Sequence, residues 1–270
     1  MSLTFHEKII RDFSRAARNY DIHAILQRKV SDRLFNIIKS DKQLSTMPNS
    51  FGNILDIGCG TGYFHELLRK SKIYAPLWQT DISQEMCKIA ALYSSPPEYG
   101  ATYTSVCDMH HLPFADKAFS TIFSSMAMQW SENLHEVFLE AKRVLTKNGR
   151  FFFSIVGDGS LQELKKTFTQ AGFSPPVHDF LSLNDVKEKL ITSGFREIEI
   201  SDQTIIMHYE NIQNMLREIK NIGASYKSSQ AKGLRGRGYF LQLEKIYNDR
   251  FLQERGLPLS WNIIYVSAKP

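Results

Sequence analysis

Apolar residues in this chain follow two alternating patterns. "NILDI" (53–57), "PLWQTDI" (76–82), "ATYTSVCD" (101–108), "FSTIFSS" (119–125) and "RFFFSIV" (150–156) are short, β-type runs. Between them, "YFHELLRK" (63–70), "SQEMCKIAALY" (83–93) and "ENLHEVFLEAKRVL" (132–145) predict helices, the second opening on Ser83 as its N-cap. Strands alternating with helices predict right-handed βαβ units and a parallel sheet covered on both faces. The unbroken Phe151–Phe153 suits a strand buried on both sides. After Gly157 the rhythm changes. Residues 159–194 are mainly helical, 195–209 predict a strand, 211–255 are helical and rich in charge, and "LSWNIIYVSAK" (259–269) predicts a last strand. No internal repeat or low-complexity segment is present. The expectation is one α/β domain over 1–270, with helical additions after the fifth strand and before the last.

Composition adds bounds. The 43% hydrophobic and 23% charged content is that of an ordinary globular protein. No apolar run is long enough to span a membrane. The N-terminal residues carry Glu7 and Asp12 and lack an apolar core, which argues against a secretory signal or a transit peptide. Three cysteines, Cys59, Cys87 and Cys107, lack the C-x-x-C spacing of metal or redox sites. They read as reduced small hydrophobes in a cytoplasmic protein, and no metal is expected.

The chemistry concentrates in "LDIGCGTGYF", where Gly58, Gly60 and Gly62 take three of five positions behind an apolar strand. The dinucleotide fingerprint G-x-G-x-x-G presents backbone amides to a pyrophosphate at a helix N-terminus. Here Tyr63 stands where that fingerprint has its third glycine, and Asp56 points a negative charge toward the turn. No Lys-Ser or Lys-Thr closes it as in a P-loop. A cationic ligand without phosphate fits better, and S-adenosylmethionine, with its sulfonium and α-amino group, is one. Asp81 ends the second strand, 19 residues after Gly62, where an acid accepts hydrogen bonds from ribose hydroxyls. Asp108 follows the third strand, placed for an adenine amino group, with Met109 packing on the ring. One such acid usually just caps the next helix; three at consecutive strand ends mark one crevice.

Residues 53–156 resemble the class I S-adenosylmethionine-dependent methyltransferases in "LDIGCGTG", "TDIS" and "LPFADKAFSTIFSS". The whole chain resembles, more narrowly, the malonyl-[acyl-carrier protein] O-methyltransferases of biotin synthesis. The matching pieces are "FSRAARNYDIHAILQ", "SSMAMQW", "GDGSLQEL", "NIGAS" and "GLPLSWNIIYV". "KNGR" (147–150) replaces the usual double glycine, and "LRGRGYF" (234–240) matches loosely. The resemblance implies a Rossmann-like seven-stranded sheet, mostly parallel with the last strand antiparallel. It further implies an N-terminal helical lid (1–40), a cofactor-binding core (41–158), and a substrate cap built from 159–194 and 210–256. It places Tyr20 beside the methyl donor as the catalytic residue. Asp56, Gly58, Gly60, Thr61, Gly62, Asp81, Ile82, Asp108, Met109, Ser124, Gln129 and Gln27 are implied around the cofactor.

A carboxylate acceptor is already deprotonated and asks for no general base, only alignment and exclusion of water. The chain lacks the Asn-Pro-Pro-Tyr motif of base amino-methylation after its fourth strand, and "SPPEY" (95–99) reads as a turn. Phe5, Ile9, Phe13, Ala17 and Tyr20 recur at helical spacing, as either an ordinary buried face or the inner face of the lid. Arg15, Arg18, His110 and His111 are candidates for a substrate carboxylate, against the plainer reading of solvated or satisfied side chains. Trp130 reads as a core residue rather than an acceptor platform.

From Arg217 to Arg237 six bases (Arg217, Lys220, Lys227, Lys232, Arg235, Arg237) face one acid, Glu218, an excess of five that equals the chain's net charge of +5. Such a run is usually a solvated face. Beside a methyl-transfer crevice it suits an acidic partner, and the resemblance names acyl carrier protein, with Lys232, Arg235 and Arg237 as contacts. The expectation is a monomer acting on malonyl-acyl-carrier protein or malonyl-CoA, without nucleic acid, since no RNA-binding module is visible. Two other functions fit the same residues: a trans-aconitate type of carboxyl methyltransferase, and a methyltransferase-fold assembly factor like the mitochondrial complex I relative of this family.

Overall fold

The computed structural model describes residues 4–41, 44, 51–95, 100–175, 179–221 and 237–270. Lys232 and Arg235, residues 96–99 of the expected turn at 95–99 and most of "NIGAS" lie outside them. The helices are α1 (Phe5–Ala16), a 3-10 turn at Ala17–Asn19, α2 (Tyr20–His23), α3 (Ile25–Ser40), α4 (Tyr63–Lys70), α5 (Gln84–Ala91), α6 (Leu134–Val144), α7 (Gln162–Gln170), α8 (Leu183–Thr192), α9 (Ile212–Asn221) and α10 (Arg237–Phe251). The strands are β1 (Ile54–Ile57), β2 (Leu77–Asp81), β3 (Thr102–Val106), β4 (Phe119–Ser125), β5 (Leu145–Val156), β6 (Arg196–Tyr209) and β7 (Leu257–Lys269).

The seven strands lie in the order β3-β2-β1-β4-β5-β7-β6, with β1 to β5 parallel and the last strand antiparallel. The expected sheet is therefore present. β1 is buried throughout because its residues have neighbours on both faces, and Phe151, Phe152 and Phe153 are fully buried for the same reason. Register sets Ile57 beside Thr80 and Asp81 beside Val106, so the carboxyl ends of β1, β2 and β3 open on one crevice.

The chain divides into two compact units. The first comprises 1–155, 182–201 and 264–270, and the second 156–181 and 202–263. The stretch 159–194, expected as one helical addition, is split between them: α7 lies in the second unit and α8 in the first. Helix α8 opens on a Ser182–Asp185 capping box and buries Val186 and Leu190. The Ser193 hydroxyl, just past its end, meets His135 Nδ1 of α6 at 2.8 Å. In the second unit, α10 packs against α7 and α9, and the Tyr247 hydroxyl donates to the Pro258 carbonyl at 2.6 Å.

A buried ion pair joins the end of α3 to β5. Arg150 Nε donates to Asp41 Oδ2 at 2.8 Å, and Nη2 reaches the same oxygen. Removing one member strands the other without solvent. Asp41→Ala should therefore lower unfolding free energy by about 3 kcal/mol in urea titrations, whereas the paired Asp41→Leu, Arg150→Met replacement should be close to neutral. Equal losses in the two variants would show that the pair itself, not the stranded charge, carries the effect.

Candidate functional site

The glycine turn links β1 to α4. Gly58, Gly60 and Gly62 have φ of 74°, 54° and 90°, the left-handed region where a side chain is strained. Their surroundings differ. A Cβ on Gly58 would lie 2.3 Å from the Ala127 Cβ, and one on Gly62 3.2 Å from both Ala90 Cα and Gln79 Nε2. On Gly60 its nearest neighbour is Tyr20 Cε1 at 3.9 Å. Two glycines are thus dictated by packing, and the third leaves a face open toward Tyr20. The amides of Gly58 and Cys59 donate to the Thr80 carbonyl at 2.8 and 2.9 Å, tying the turn to β2. The Gly60 amide donates to Asp81 Oδ2 at 3.0 Å, and Ser83 N donates to Asp81 Oδ1 at 2.8 Å.

Two cavities adjoin this turn. One, of about 580 Å³, has Asp81, Ile82, Met86, Cys107 and Met109 on its wall, together with Ile9, Phe13, Tyr20, Met126 and Trp130. The other, of about 460 Å³, is lined by Asp56, Thr61 and Tyr63 together with Asp21, Gln27 and Arg28 of the N-terminal segment. Tyr20, Gly58, Gly60 and Ser125 border both.

Helix α1 buries no residue fully; its Ile9 and Phe13 are half-buried and face the larger cavity. Of the Phe5–Tyr20 set, Ile9, Phe13 and Tyr20 border the larger cavity, whereas Ala17 is buried. The Ser14 and Ser83 hydroxyls meet at 3.0 Å, and Thr61 Oγ1 donates to Asp21 Oδ1 at 2.7 Å. The segment is therefore pinned both to the cap of α5 and to the glycine turn. Thr61 thus anchors the segment through its hydroxyl.

Several expected residues sit elsewhere than the sequence implied. The Ser124 hydroxyl is fully buried and donates to the Ile57 carbonyl at 2.8 Å. Strand alternation turns Ser125 to the cleft in its place. Trp130, read as core, is half-buried on the cleft wall, with the Phe13 ring edge-on at 5.6 Å. Asp108 Oδ1 accepts from the His110 backbone at 2.9 Å and meets His110 Nδ1 at 2.7 Å, and Oδ2 lies 3.7 Å from His6. It lines neither cavity, and His110 is a satisfied histidine that also meets Ser131 Oγ at 2.8 Å. Arg15, Arg18 and His111 are exposed and line neither cavity. Arg237 opens α10 in the second unit.

Electrostatics favour a cation here. Asp56 is 1% exposed, its Oδ2 has no hydrogen-bond partner among the described residues, and burial, then Asp81, pushes its carboxyl well above the usual range. Burial also raises Asp81, opposed by the amides of Ser83, Gly60 and Ile82. Gln27 Oε1 and Gln129 Oε1 are buried acceptors without partners, while Gln129 Nε2 donates to the Met126 carbonyl at 2.5 Å. Orphaned acceptors of this kind are costly unless a donor arrives. Burial, with Asp81 and Asp21, raises the Tyr20 phenol far above its usual range, so its hydroxyl stays protonated. Asp21, Arg28, Ser125 and Phe13 were not singled out as site residues from the sequence. Asp21 lies in α2 and Arg28 in α3, on either side of the break at Ala24, so no single helical spacing in the sequence marks the pair.

Among the described residues no group of three or more His, Cys, Asp or Glu side chains could hold a metal, and no helix is long and apolar enough to cross a membrane. The cysteines are free.

Residues 55–153 match the model of a methyltransferase domain. The chain is 30% identical to malonyl-[acyl-carrier protein] O-methyltransferase of Geobacter sulfurreducens, covering 97% of this chain and 98% of that one. It is 32% identical to the biotin biosynthesis bifunctional protein BioHC of Teredinibacter turnerae, over 96% of this chain and 46% of the longer protein. Among solved structures, YcgJ of Bacillus subtilis superposes with a TM-score of 0.59 at 18% identity, over 87% of this chain and 97% of that one, which shows the shared fold. With a glycine turn, acids at successive strand ends and full-length kinship all in agreement, the chain belongs to the malonyl-[acyl-carrier protein] O-methyltransferase family of class I S-adenosylmethionine-dependent methyltransferases.

Proposed function

We propose that the protein methylates the free carboxylate of a malonyl group carried on acyl carrier protein, with S-adenosylmethionine as donor, in biotin synthesis. The observation that carries the substrate is the full-length similarity to the Geobacter sulfurreducens enzyme of that name. The site is compatible with the donor: Asp56 Oδ2 and Gln27 Oε1 are buried acceptors awaiting a cation, and Gly60 leaves its face open. S-adenosylmethionine, when bound, supplies a methyl group activated on its sulfonium. Asp81 would accept from the ribose hydroxyls, Ile82 and Met109 would flank the adenine, and Asp56 would pair with the α-ammonium.

The protein's own residues then have two tasks. Ile9, Phe13 and Trp130 exclude water from the acceptor carboxylate, which strengthens it as a nucleophile. The Tyr20 hydroxyl, which makes no hydrogen bond among the described residues, donates to that carboxylate and sets its approach. The basic stretch from Arg217 to Arg237 carries charge complementary to an acidic carrier protein, with Lys232, Arg235 and Arg237 as the expected contacts. The protein acts as a monomer in the cytoplasm, on malonyl-acyl-carrier protein or malonyl-CoA.

Incubation with labelled donor and malonyl-acyl-carrier protein, followed by mass spectrometry of the carrier, tests this directly. The expected product is a methyl ester, lost on mild alkaline hydrolysis, unlike an N- or C-methyl group. Tyr20→Phe should lower kcat roughly 10-fold while leaving donor affinity nearly unchanged, the worth of one hydrogen bond at the acceptor. A carrier that gains no methyl group, while trans-aconitate or a free fatty acid does, would overturn the substrate. Absence of transfer to any acid would favour an assembly role on a partner protein.

A further inference from the structure

Two loops meet beside the larger cavity although they leave strands that are not neighbours. In the sheet, β2 and β1 stand between β3 and β4, which sets β3 and β4 about 14 Å apart at ~4.8 Å per strand. The residues that follow them nevertheless touch, because His110 Nε2 lies 2.8 Å from Ser131 Oγ. The protons on this contact can be assigned. Burial raises the Asp108 carboxyl, but hydrogen bonds from the His110 amide and ring outweigh it and hold the group below its usual range. Asp108 Oδ1 is thus an acceptor, 2.9 Å from His110 N and 2.7 Å from Nδ1. In the neutral ring Nδ1 then carries the hydrogen, and Nε2 accepts from the Ser131 hydroxyl. Ser131 Oγ in turn accepts from Asn133 N at 3.1 Å. Two loops from opposite sides of the crevice are held by one directional chain of hydrogen bonds.

Each end of this bridge continues into the cavity wall. His110 follows Met109 and Ser131 follows Trp130, and both of those residues border the larger cavity. We infer that His110 and Ser131 are positioning residues, a clasp between the two loops that couples the donor to the acceptor. The inference rests on the function proposed above, in which Met109 flanks the adenine and Trp130 shields the acceptor carboxylate, and it deepens that reading. Adenine seated against Met109 fixes the loop after β3. The clasp passes that order to the loop after β4 and sets the Trp130 ring for the acceptor. An acceptor packed on Trp130 strengthens the donor by the same factor, because coupling between two sites is reciprocal. His110 and Ser131 line neither cavity, so their effect runs through Met109 and Trp130 rather than through contact with a ligand.

Calorimetric titration of the full chain with S-adenosylhomocysteine, with and without saturating malonyl-acyl-carrier protein, reads this coupling, since that ligand has no methyl group to transfer. In wild-type protein the carrier should tighten S-adenosylhomocysteine about 3- to 10-fold, the worth of one hydrogen bond. Ser131→Ala should bring that factor close to unity while leaving the affinity without carrier unchanged, which also serves as the control for folding. Ser131→Thr, which keeps the hydroxyl, should restore the factor. Adding His110→Ala to Ser131→Ala should change it no further, as expected of two residues acting through one contact. A factor that survives in Ser131→Ala, or a wild-type factor of unity with carrier bound, would overturn the inference. Weaker binding of S-adenosylhomocysteine to Ser131→Ala without carrier would make the clasp a structural prop and overturn it too. Wild-type protein that binds no carrier, or no S-adenosylhomocysteine, would instead overturn the proposed reactants, and the inference with them.

Discussion

Asp81→Ala should weaken donor binding by roughly 2–4 kcal/mol, about 30- to 1,000-fold, while the protein still folds. Asp81 is the acid at the end of β2 that reaches both the glycine turn and the larger cavity. Its two oxygens already accept from Gly60 N and Ser83 N, which fixes the carboxylate and leaves each oxygen a further lone pair for a ribose hydroxyl. The variant loses both of those bonds and lets the turn relax. Calorimetry with S-adenosylhomocysteine reads the loss directly, and unchanged affinity would remove Asp81 from the site. Asp56→Asn should do less harm, because an amide oxygen still accepts from an ammonium. Affinity should also follow the ionisation of Asp56. Burial holds its carboxyl above the usual range, so the proton competes with the cationic ligand. Binding therefore strengthens as pH rises through that elevated pKa and levels off above it; in Asp56→Asn only the dependence carried by Asp81, whose carboxyl burial also raises, should remain. NAD should not compete, since Asp56 repels a pyrophosphate and Tyr63 takes the place of the third glycine in the dinucleotide fingerprint.

How far the sequence alone reached depends on which interactions decide each feature. The seven strands were legible because unbroken apolar runs such as Phe151–Phe153 leave a strand little choice but double-sided burial. The glycine turn was legible because positive φ at Gly58, Gly60 and Gly62 is a backbone requirement with a residue signature. Other features depended on which way one side chain turns. Ser124 and Ser125 are chemically identical neighbours, and only the phase of β4 decides which one meets the cleft. Trp130 looked like core because its size favours burial, yet a cleft wall buries one face and leaves the other for a ligand. The place of Arg28 on the wall of the smaller cavity was hidden for a further reason. An arginine on a helix is ordinary, and what distinguishes this one is the fixing of its guanidinium by Asp21 and Tyr63, groups outside its own helical turn. Asp108 shows the converse. Its position after β3 is legible, but that the neighbouring His110 engages Oδ1 through both its backbone and its ring is not.

The two glycines that open the turn should fail in opposite ways when replaced by alanine. At Gly58 the new Cβ would sit 2.3 Å from the Ala127 Cβ, far inside the ~3.5–4 Å at which two carbons rest in contact. Ala127 has little room to withdraw. It is 9% exposed and follows Met126, whose own φ of 51° is already in the left-handed region. Overpacking of this kind, added to an unfavourable φ of 74°, should lower unfolding free energy by about 3 kcal/mol. Gly60→Ala meets no such wall, only the edge of Tyr20 at 3.9 Å, so its stability cost should be the conformational strain of about 1 kcal/mol. Its methyl group, however, projects into the space between the turn and Tyr20 that both cavities share. Donor affinity should then fall roughly 10- to 100-fold, the cost of forcing an extra carbon into an occupied site. Urea denaturation and calorimetry on the two variants separate these effects. If Gly60→Ala binds S-adenosylhomocysteine as tightly as wild type, the open face beside Tyr20 is not where the ligand passes. The donor would then have to enter along the Met109 and Ile82 wall without touching the turn.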